Sequence, residues 1–413
     1  MNKTAGKSGG HGARADEQDL LAKLRAQIRN AKENSPYWSA TLADIEADSL
    51  ATLADIGQLP VLRKSQLIAL QSERYLGDLA TRNSGRPSHV FFSPGPIVEP
   101  EPIAAKDAWR MSAALLNAGF KPEDTAANCF SYHLTPAGLM FDQALQVVGC
   151  TIFPAGVQRV ETLIDAFHQL SVTAYVGTPD FLKIILEKAD DLGRPIGTVR
   201  KAMVSGGALF PELKDWYIQR GIRVKQSYGT AELGLIAYET EDDEPGMRVA
   251  DDCIVEIVRP GSNEAVEDGE VGEVVVTTFD PHYPLIRFGT GDLSAIVTPA
   301  PPPGTAGRRL KGWMGRADQT TKIKGMFVHP GQVEKAMRQI PGALKVRVEV
   351  RLVDGRDQML FLCEREDQSQ RFIADIKEIV KAECRVNGEI RIVPPKSLPN
   401  DGKVIDDLRA VGV

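Results

Sequence analysis

Tyr228, Gly229, Thr230 and Glu232 bring an aromatic ring, a bare backbone position, a hydroxyl and a carboxylate together within the stretch QSYGTAELGLIAYE. A ring can stack on a planar base, a glycine admits close backbone approach, and a carboxylate can hold Mg²⁺. The apolar pair Ile222 and Val224 ahead of them reads as a strand, which places the group on an exposed turn. Taken alone, the same residues also suit an ordinary strand-to-helix turn. Asp292, in GTGDL, carries a carboxylate that can accept two hydroxyl protons, or can simply cap a turn. Lys403, beside Gly402 near the C-terminus, is either a mobile ammonium for a developing negative charge or a solvated surface charge.

These groups need elements to position them. From 173 to 227 the chain alternates strands (173–176, 200–204, 222–226) with helices (179–192, 211–220), the second beginning at Pro211. Such alternation implies an α/β layer with a largely parallel sheet, whose ligands sit at the carboxyl ends of the strands. Three loops fall there: Gly177-Thr178-Pro179, Ser205-Gly206-Gly207-Ala208, and 228–232. Upstream, Leu20, Leu21, Leu24, Ile28 and Ala31 mark a helix from Gln18 to Asn34, and further helices are expected at about 103–118, closed by Gly119, and at 161–170. Val90-Phe91-Phe92 reads as a strand running into Ser93-Pro94-Gly95-Pro96. From 250 to 298 short strands and turns suggest an antiparallel β subdomain, and Pro301-Pro302-Pro303-Gly304 then marks a domain boundary. The last hundred residues alternate helix and strand patterns in a compact α+β unit. The expected organisation is a disordered tail over 1–16, a large α/β domain over 17–312 with parallel-rich sheets and a small β subdomain, and a mobile α+β lid over 313–413.

Composition narrows the classes. At 413 residues, 43% hydrophobic and 25% charged, the chain is that of a globular protein of more than one domain. A net charge of −6 argues against sequence-independent nucleic-acid binding. No apolar run approaches the ~20 residues of a membrane span, and no secretory h-region is visible. The five cysteines, Cys129, Cys150, Cys253, Cys363 and Cys384, are scattered and read as buried thiols of a cytoplasmic protein.

Four segments in order, YGTAELG (228–234), PLIRFGTGDL (284–293), GRADQTTKIKGMFVHPGQVE (315–334) and SLPNDGKVIDDLR (397–409), resemble the adenylate-forming superfamily and, within it, the phenylacetate–CoA ligase family. The resemblance runs from Ser35-Pro36-Tyr37-Trp38 to Lys403. It implies activation of an aryl or arylacetic acid with ATP to acyl-AMP, then transfer to CoA, the small domain rotating between the two half-reactions. In that scheme Tyr228 stacks on adenine, Glu232 holds Mg²⁺, and Thr230 supplies the hydroxyl that the family carries one residue later, where this chain has Ala231. Asp292 grips the ribose, Arg287 and Arg316 lie near phosphate or ribose, and Lys403 is the catalytic lysine. Ser93, Gly207 and Ala208 belong to nucleotide-binding loops. Lys324 and Gly325 lie in a loop lining the CoA thiol tunnel, and the hinge falls near 316–318. Tyr132 and His133 border the acyl pocket. Arg308, Arg309 and Lys311 are either contacts to CoA phosphates or a solvated basic linker. The implied partners are a small carboxylic acid, ATP and CoA, with no nucleic acid or membrane, and a homodimer is compatible with the resemblance.

One segment departs from the family. A phosphate loop ordinarily like SSGTTGKP is here Ser93-Pro94-Gly95-Pro96-Ile97-Val98-Glu99-Pro100. Two prolines remove N–H donors, both threonines are gone, and Glu99 replaces a lysine, setting a carboxylate toward a triphosphate. Two readings stay open: a ligase that grips ATP through its other residues, or a relative that binds AMP, acyl-AMP or a CoA thioester as carrier or regulator. A purely structural protein on the same scaffold would show no stabilisation by nucleotide.

Overall fold

The computed structural model describes residues 9–83, 85–93, 96–103, 106–207, 209–240, 244–301, 307–323, 326–353, 356–367, 369–399 and 403–409; the side chains at 9–16, 318, 322, 327, 352, 356 and 370 also lie outside the described set. The chain divides into two compact units, Met1–Thr290 with Ala295–Gly312, and Gly291–Ser294 with Trp313–Val413. Among the described residues no helix is long and apolar enough to cross a membrane.

In the first unit, helix α1 (Gly9–Asn34) buries Leu20, Leu21, Leu24, Ile28 and Ala31, the apolar face its spacing predicts. It begins at Gly9, so residues 9–16, expected to lack order, are helical backbone. After α2 (Pro36–Thr41) come β1 (Leu62–Arg63), α3 (Lys64–Glu73) and an antiparallel hairpin of β2 (Val90–Ser93) and β3 (Ile97–Pro100). The helix expected over 103–118 is shorter, α4 (Ser112–Asn117), because the Asp107 carboxylate accepts the N–H groups of Met111 (2.9 Å) and Ser112 (2.8 Å) and starts the helix there. Gly119 ends the segment at φ +81°.

Next, β4 (Thr125–Asn128), α5 (Ala137–Val148), β5 (Thr151–Phe153), α6 (Val160–Gln169), β6 (Ala174–Gly177), α7 (Pro179–Asp191), β7 (Lys201–Val204), α8 (Pro211–Gln219) and β8 (Arg223–Thr230) alternate as their sequence pattern predicts. The strands pair in parallel in the order β5-β4-β6-β7-β8. Both faces are covered: Ala174 and Val176 of β6 face one core cluster and Tyr175 the other, which is why the strand reads as a continuous apolar run. Strand addition changes direction at β4, a switch point of the kind that leaves a crevice at the carboxyl ends.

β9 (Gly234–Tyr238) turns back antiparallel on β8, followed by β10 (Met247–Val249). β11 (Cys253–Val258) and β12 (Gly272–Thr278) are antiparallel, and β13 (Phe288–Ser294) joins their sheet. The subdomain expected from 250 to 298 therefore holds in part, but it is not purely antiparallel or contiguous: β1, from residue 62, completes the sheet by pairing parallel to β13, Leu62 opposite Phe288. β14 (Arg309–Leu310) pairs with β10 at the edge of the eight-stranded sheet.

The second unit has the hairpin β15 (Thr321–Ile323) and β16 (Met326–Val328), helix α9 (Pro330–Gln339), strands β17 (Lys345–Val353) and β18 (Arg356–Glu364), helix α10 (Ile373–Cys384), and strands β19 (Glu389–Val393) and β20 (Ile405–Asp407). Its four-stranded sheet runs β19-β18-β17-β20. Val333, Ala336, Val348, Val350, Phe361, Ile376 and Val380 fill the space between sheet and helices.

Candidate functional site

Because β4, β6, β7 and β8 are parallel, the loops after them share one edge of the sheet. That edge collects His133 and Tyr132 after β4, Gly206 and Gly207 after β7, and Tyr228 on β8. Ser205 ties two of these loops by donating from Oγ to the carbonyl of Ser227 at 2.8 Å. His133 is exposed. Tyr132 is a buttress: its hydroxyl donates to Asp142 Oδ1 and accepts from Asn128 Nδ2, both at 2.9 Å. Burial first, then the Asp142 carboxylate, pushes that hydroxyl far above its ordinary pKa. A Cβ on Gly138 would lie 2.9 Å from its ring, so the ring packs closely against the start of α5. The hydroxyl is thus engaged by side chains of β4 and α5. Ala208 lies outside the described residues.

The segment expected as an exposed strand-to-helix or ligand turn is the tip of the β8–β9 hairpin. Tyr228 is half-buried and its hydroxyl donates to Thr290 Oγ1 (3.2 Å), which donates on to Val274 O (3.0 Å). Gly229 is required by its own hairpin, since a Cβ there would sit 2.5 Å from Gly234 O. Thr230 Oγ1 accepts the N–H of Leu233 at 3.3 Å and so closes the turn.

Glu232 is not at a mouth. Its carboxylate is 1% exposed and lies 2.8 Å from Lys64 Nζ at the start of α3. Beside it on β3, Glu99 is 2% exposed and accepts a hydrogen bond from Ser93 Oγ at 2.8 Å. Burial, then the neighbouring Glu232 charge, pushes the Glu99 carboxyl up to about 7, against the pull of Ser93 and Lys64. Glu99 therefore points under the hairpin and not toward a triphosphate, and the Ser93 hydroxyl expected to contact nucleotide is spent on it. Glu99 and Glu232 line a small cavity of about 30 Å³ with Trp109, Arg110 and Tyr283.

Arg287 was expected near phosphate or ribose. It is 0% exposed: Nε and Nη2 grip the two Glu256 oxygens at 2.9 Å each, and Nη1 and Nη2 also donate to the carbonyls of Gly57, Leu59 and Asn263. A saturated, buried guanidinium has nothing left for a ligand, so its role is to lock the β-sheet to the 57–59 turn. Arg308 pairs with Asp268 (2.6 Å) and Arg309 with Glu244 (2.7 Å) and Thr240 (2.8 Å), which identifies both as braces within the unit, while Lys311 donates to Gly269 O at 3.4 Å.

In the second unit, Asp292 and Arg316 come together. They face each other across a backbone bridge, and Arg316 Nη1 donates to Asp292 Oδ1 at 3.2 Å. Lys403 stands just before β20, its side chain 51% exposed and its Nζ donating to Asp406 Oδ1 at 3.0 Å. That hydrogen bond is the largest of the causes that hold the Asp406 carboxyl below its ordinary range. Lys324 and Gly325 lie outside the described residues.

Residues 119–279 match the family model of the AMP-binding enzymes. Along the chain, similarity extends to phenylacetate-coenzyme A ligases: that of Pseudomonas putida is 23% identical over 405 residues, covering 91% of this chain and 89% of its own, and that of Escherichia coli is 26% identical over 348 residues, covering 78% and 76%. The chain is thus similar, over nearly its whole length, to members of the adenylate-forming superfamily. Among solved structures, this chain shares its fold with 2-hydroxyisobutyryl-CoA ligase in an open conformation with its acyl-AMP and CoA (TM-score 0.81, 20% identity, 98% of this chain and 96% of that one) and with ATP-bound MatB of Rhodopseudomonas palustris (TM-score 0.58, 15% identity, 78% and 68%).

The superfamily implies Mg²⁺, and the residues here do not fit it at Glu232. Mg²⁺ needs near-octahedral oxygen ligands and keeps several waters. Glu232 is enclosed, already has the Lys64 ammonium on it, and shares its cavity with Arg110, so two protein cations stand beside the two carboxylates. Among the described residues no group of three or more acidic, histidine or cysteine side chains is arranged to hold a metal. Lys64 was not singled out from the sequence, although one signal was present: Arg63-Lys64 puts cations at a helix start, where the dipole disfavours them, unless a buried carboxylate compensates.

Proposed function

We propose that this protein is an AMP-forming acid–thiol ligase of the phenylacetate–CoA ligase type, activating an aryl or arylacetic acid. In the first half-reaction a carboxylate oxygen attacks the α-phosphorus of ATP, the bond to the β-phosphate oxygen breaks, and pyrophosphate leaves. In the second, the CoA sulfur attacks the acyl carbon, its proton is lost, and AMP departs from the resulting acyl-CoA. In this reading the Tyr228 ring receives adenine, Asp292 with Arg316 holds the ribose, and the Lys403 ammonium neutralises charge developing on the α-phosphate. Gly207, Ala208, Lys324 and Gly325 keep the backbone and thiol-channel roles that the resemblance implies, and His133 borders the acyl group.

The placement of Lys403 carries the proposal. Its side chain is half-exposed and tethered to the Asp406 carboxylate just before a strand, where a binding-only protein needs no such group. Lys403→Ala should abolish acyl-AMP formation while sparing thioester formation from supplied acyl-AMP. Equal loss of both half-reactions would remove Lys403 from the adenylation step.

One observation favours a second reading. The β2–β3 hairpin turns the Ser93 hydroxyl inward onto Glu99, which leaves that segment fewer donors for β- and γ-phosphates. A relative that has lost ATP chemistry would bind AMP, acyl-AMP or a CoA thioester as carrier or regulator.

A further inference from the structure

Trp313 is 43% exposed, whereas Trp38 and Trp109 are buried in the first unit. Its indole Nε1 donates to Asp292 Oδ1 at 3.2 Å, the same oxygen that accepts from Arg316. The backbone fixes this meeting: Met314 N donates to Leu293 O at 2.9 Å, and Leu293 N to Gly315 O at 2.8 Å. Two glycines make it fit. Gly315 sits at φ +116°, and a Cβ on Gly291 would approach Arg316 Nη2 to 2.9 Å. All of these residues belong to the second unit.

A carboxylate turns readily about its terminal torsion, so one long arginine defines its plane poorly. A rigid indole donor, with only two side-chain torsions, defines it better, and a hydrogen bond to an ionised carboxylate is charge-assisted. The ring remains 43% exposed, and it is its polar edge that meets the carboxylate.

We propose that Trp313 is a positioning residue for Asp292, holding the carboxylate in the orientation that receives the two hydroxyls of a nucleotide ribose. This rests on the ribose role of Asp292 given above, and the two can fail separately. Calorimetric titrations of the full chain with AMP and with 2′,3′-dideoxy-AMP test both. Trp313→Phe keeps a ring and removes the donor. It should weaken AMP about tenfold, the scale of one hydrogen bond to a charged group, and leave dideoxy-AMP unchanged. Asp292→Asn should show the same selectivity with a larger loss. If Trp313→Phe weakens both ligands equally, or neither, the positioning role is overturned while the ribose reading stands. If Asp292→Asn fails to distinguish the two ligands, the ribose reading falls and the proposal with it. In the unaltered protein, saturating AMP should change a tryptophan emission component that Trp313→Phe lacks; an unchanged emission counts against the proposal without requiring any variant to fold.

Discussion

Replacing Arg287 by methionine separates a packing role from a binding role. The guanidinium is fully buried, bidentate to Glu256 and bonded to three carbonyls. Methionine matches much of its volume but leaves Glu256 without a counter-charge in an apolar setting. Breaking a buried pair in this way costs about 3–5 kcal/mol. For a first unit of roughly 300 residues, with about 2.1 cal/mol/K of unfolding entropy per residue, that is a fall of ~5–8 °C in Tm. Arg287→Met with Glu256→Leu should recover most of the loss, because the stranded charge goes with its partner. Scanning calorimetry of the single and double variants, with AMP titrations on each, reads both effects. A single variant with wild-type Tm and lost AMP affinity would refute the reasoning and return Arg287 to the nucleotide.

Glu99 gives a pH prediction. Its folded pKa, about 7, lies above the ordinary 4.5, so the folded state holds a proton that the unfolded state releases between those values. The stability it contributes is therefore full below pH 4.5 and is lost as pH rises through 7, by up to roughly 3 kcal/mol. Glu99→Gln should flatten that part of the stability–pH curve in urea titrations, and an unchanged slope would show that the carboxyl is not buried. At Glu232, Mn²⁺ without nucleotide should leave the wild-type Tm unchanged. Lys64→Met should lower Tm and make it rise with Mn²⁺, since the carboxylate then lacks its cation; Mn²⁺ stabilisation of the wild type that Glu232→Gln abolishes would contradict this.

The parallel sheet was legible because apolar runs such as 174–177 and 202–204 sit between amphipathic helices whose starts are marked by Pro179 and Pro211. The β8–β9 hairpin was not, because GLIAY is apolar throughout and carries neither a two-residue nor a 3.6-residue period. The shortening of the 103–118 helix turns on where one Asp107 side chain points. Asp292, Arg316 and Lys403 could be named from motif order, and the first two do meet. Arg287 sits in the same motif as Asp292, but sequence does not say which of two nearby basic side chains faces inward; that depends on Glu256, 31 residues away. The Asp292–Trp313 contact depends likewise on a bridge between distant segments, and the Lys64–Glu232 pair joins residues 168 positions apart (232 − 64) that no local pattern links.

The central claim is that this fold still activates a carboxylic acid with ATP. The most direct measurement is pyrophosphate release from ATP across a panel of aryl, arylacetic and short aliphatic acids, with and without CoA. The account predicts acid-dependent release, greatest with an aryl or arylacetic acid, and acyl-CoA as product when CoA is present. No release with any acid, alongside clear calorimetric binding of AMP or a non-hydrolysable acyl-AMP analogue, would contradict it and identify a binding protein on a ligase scaffold.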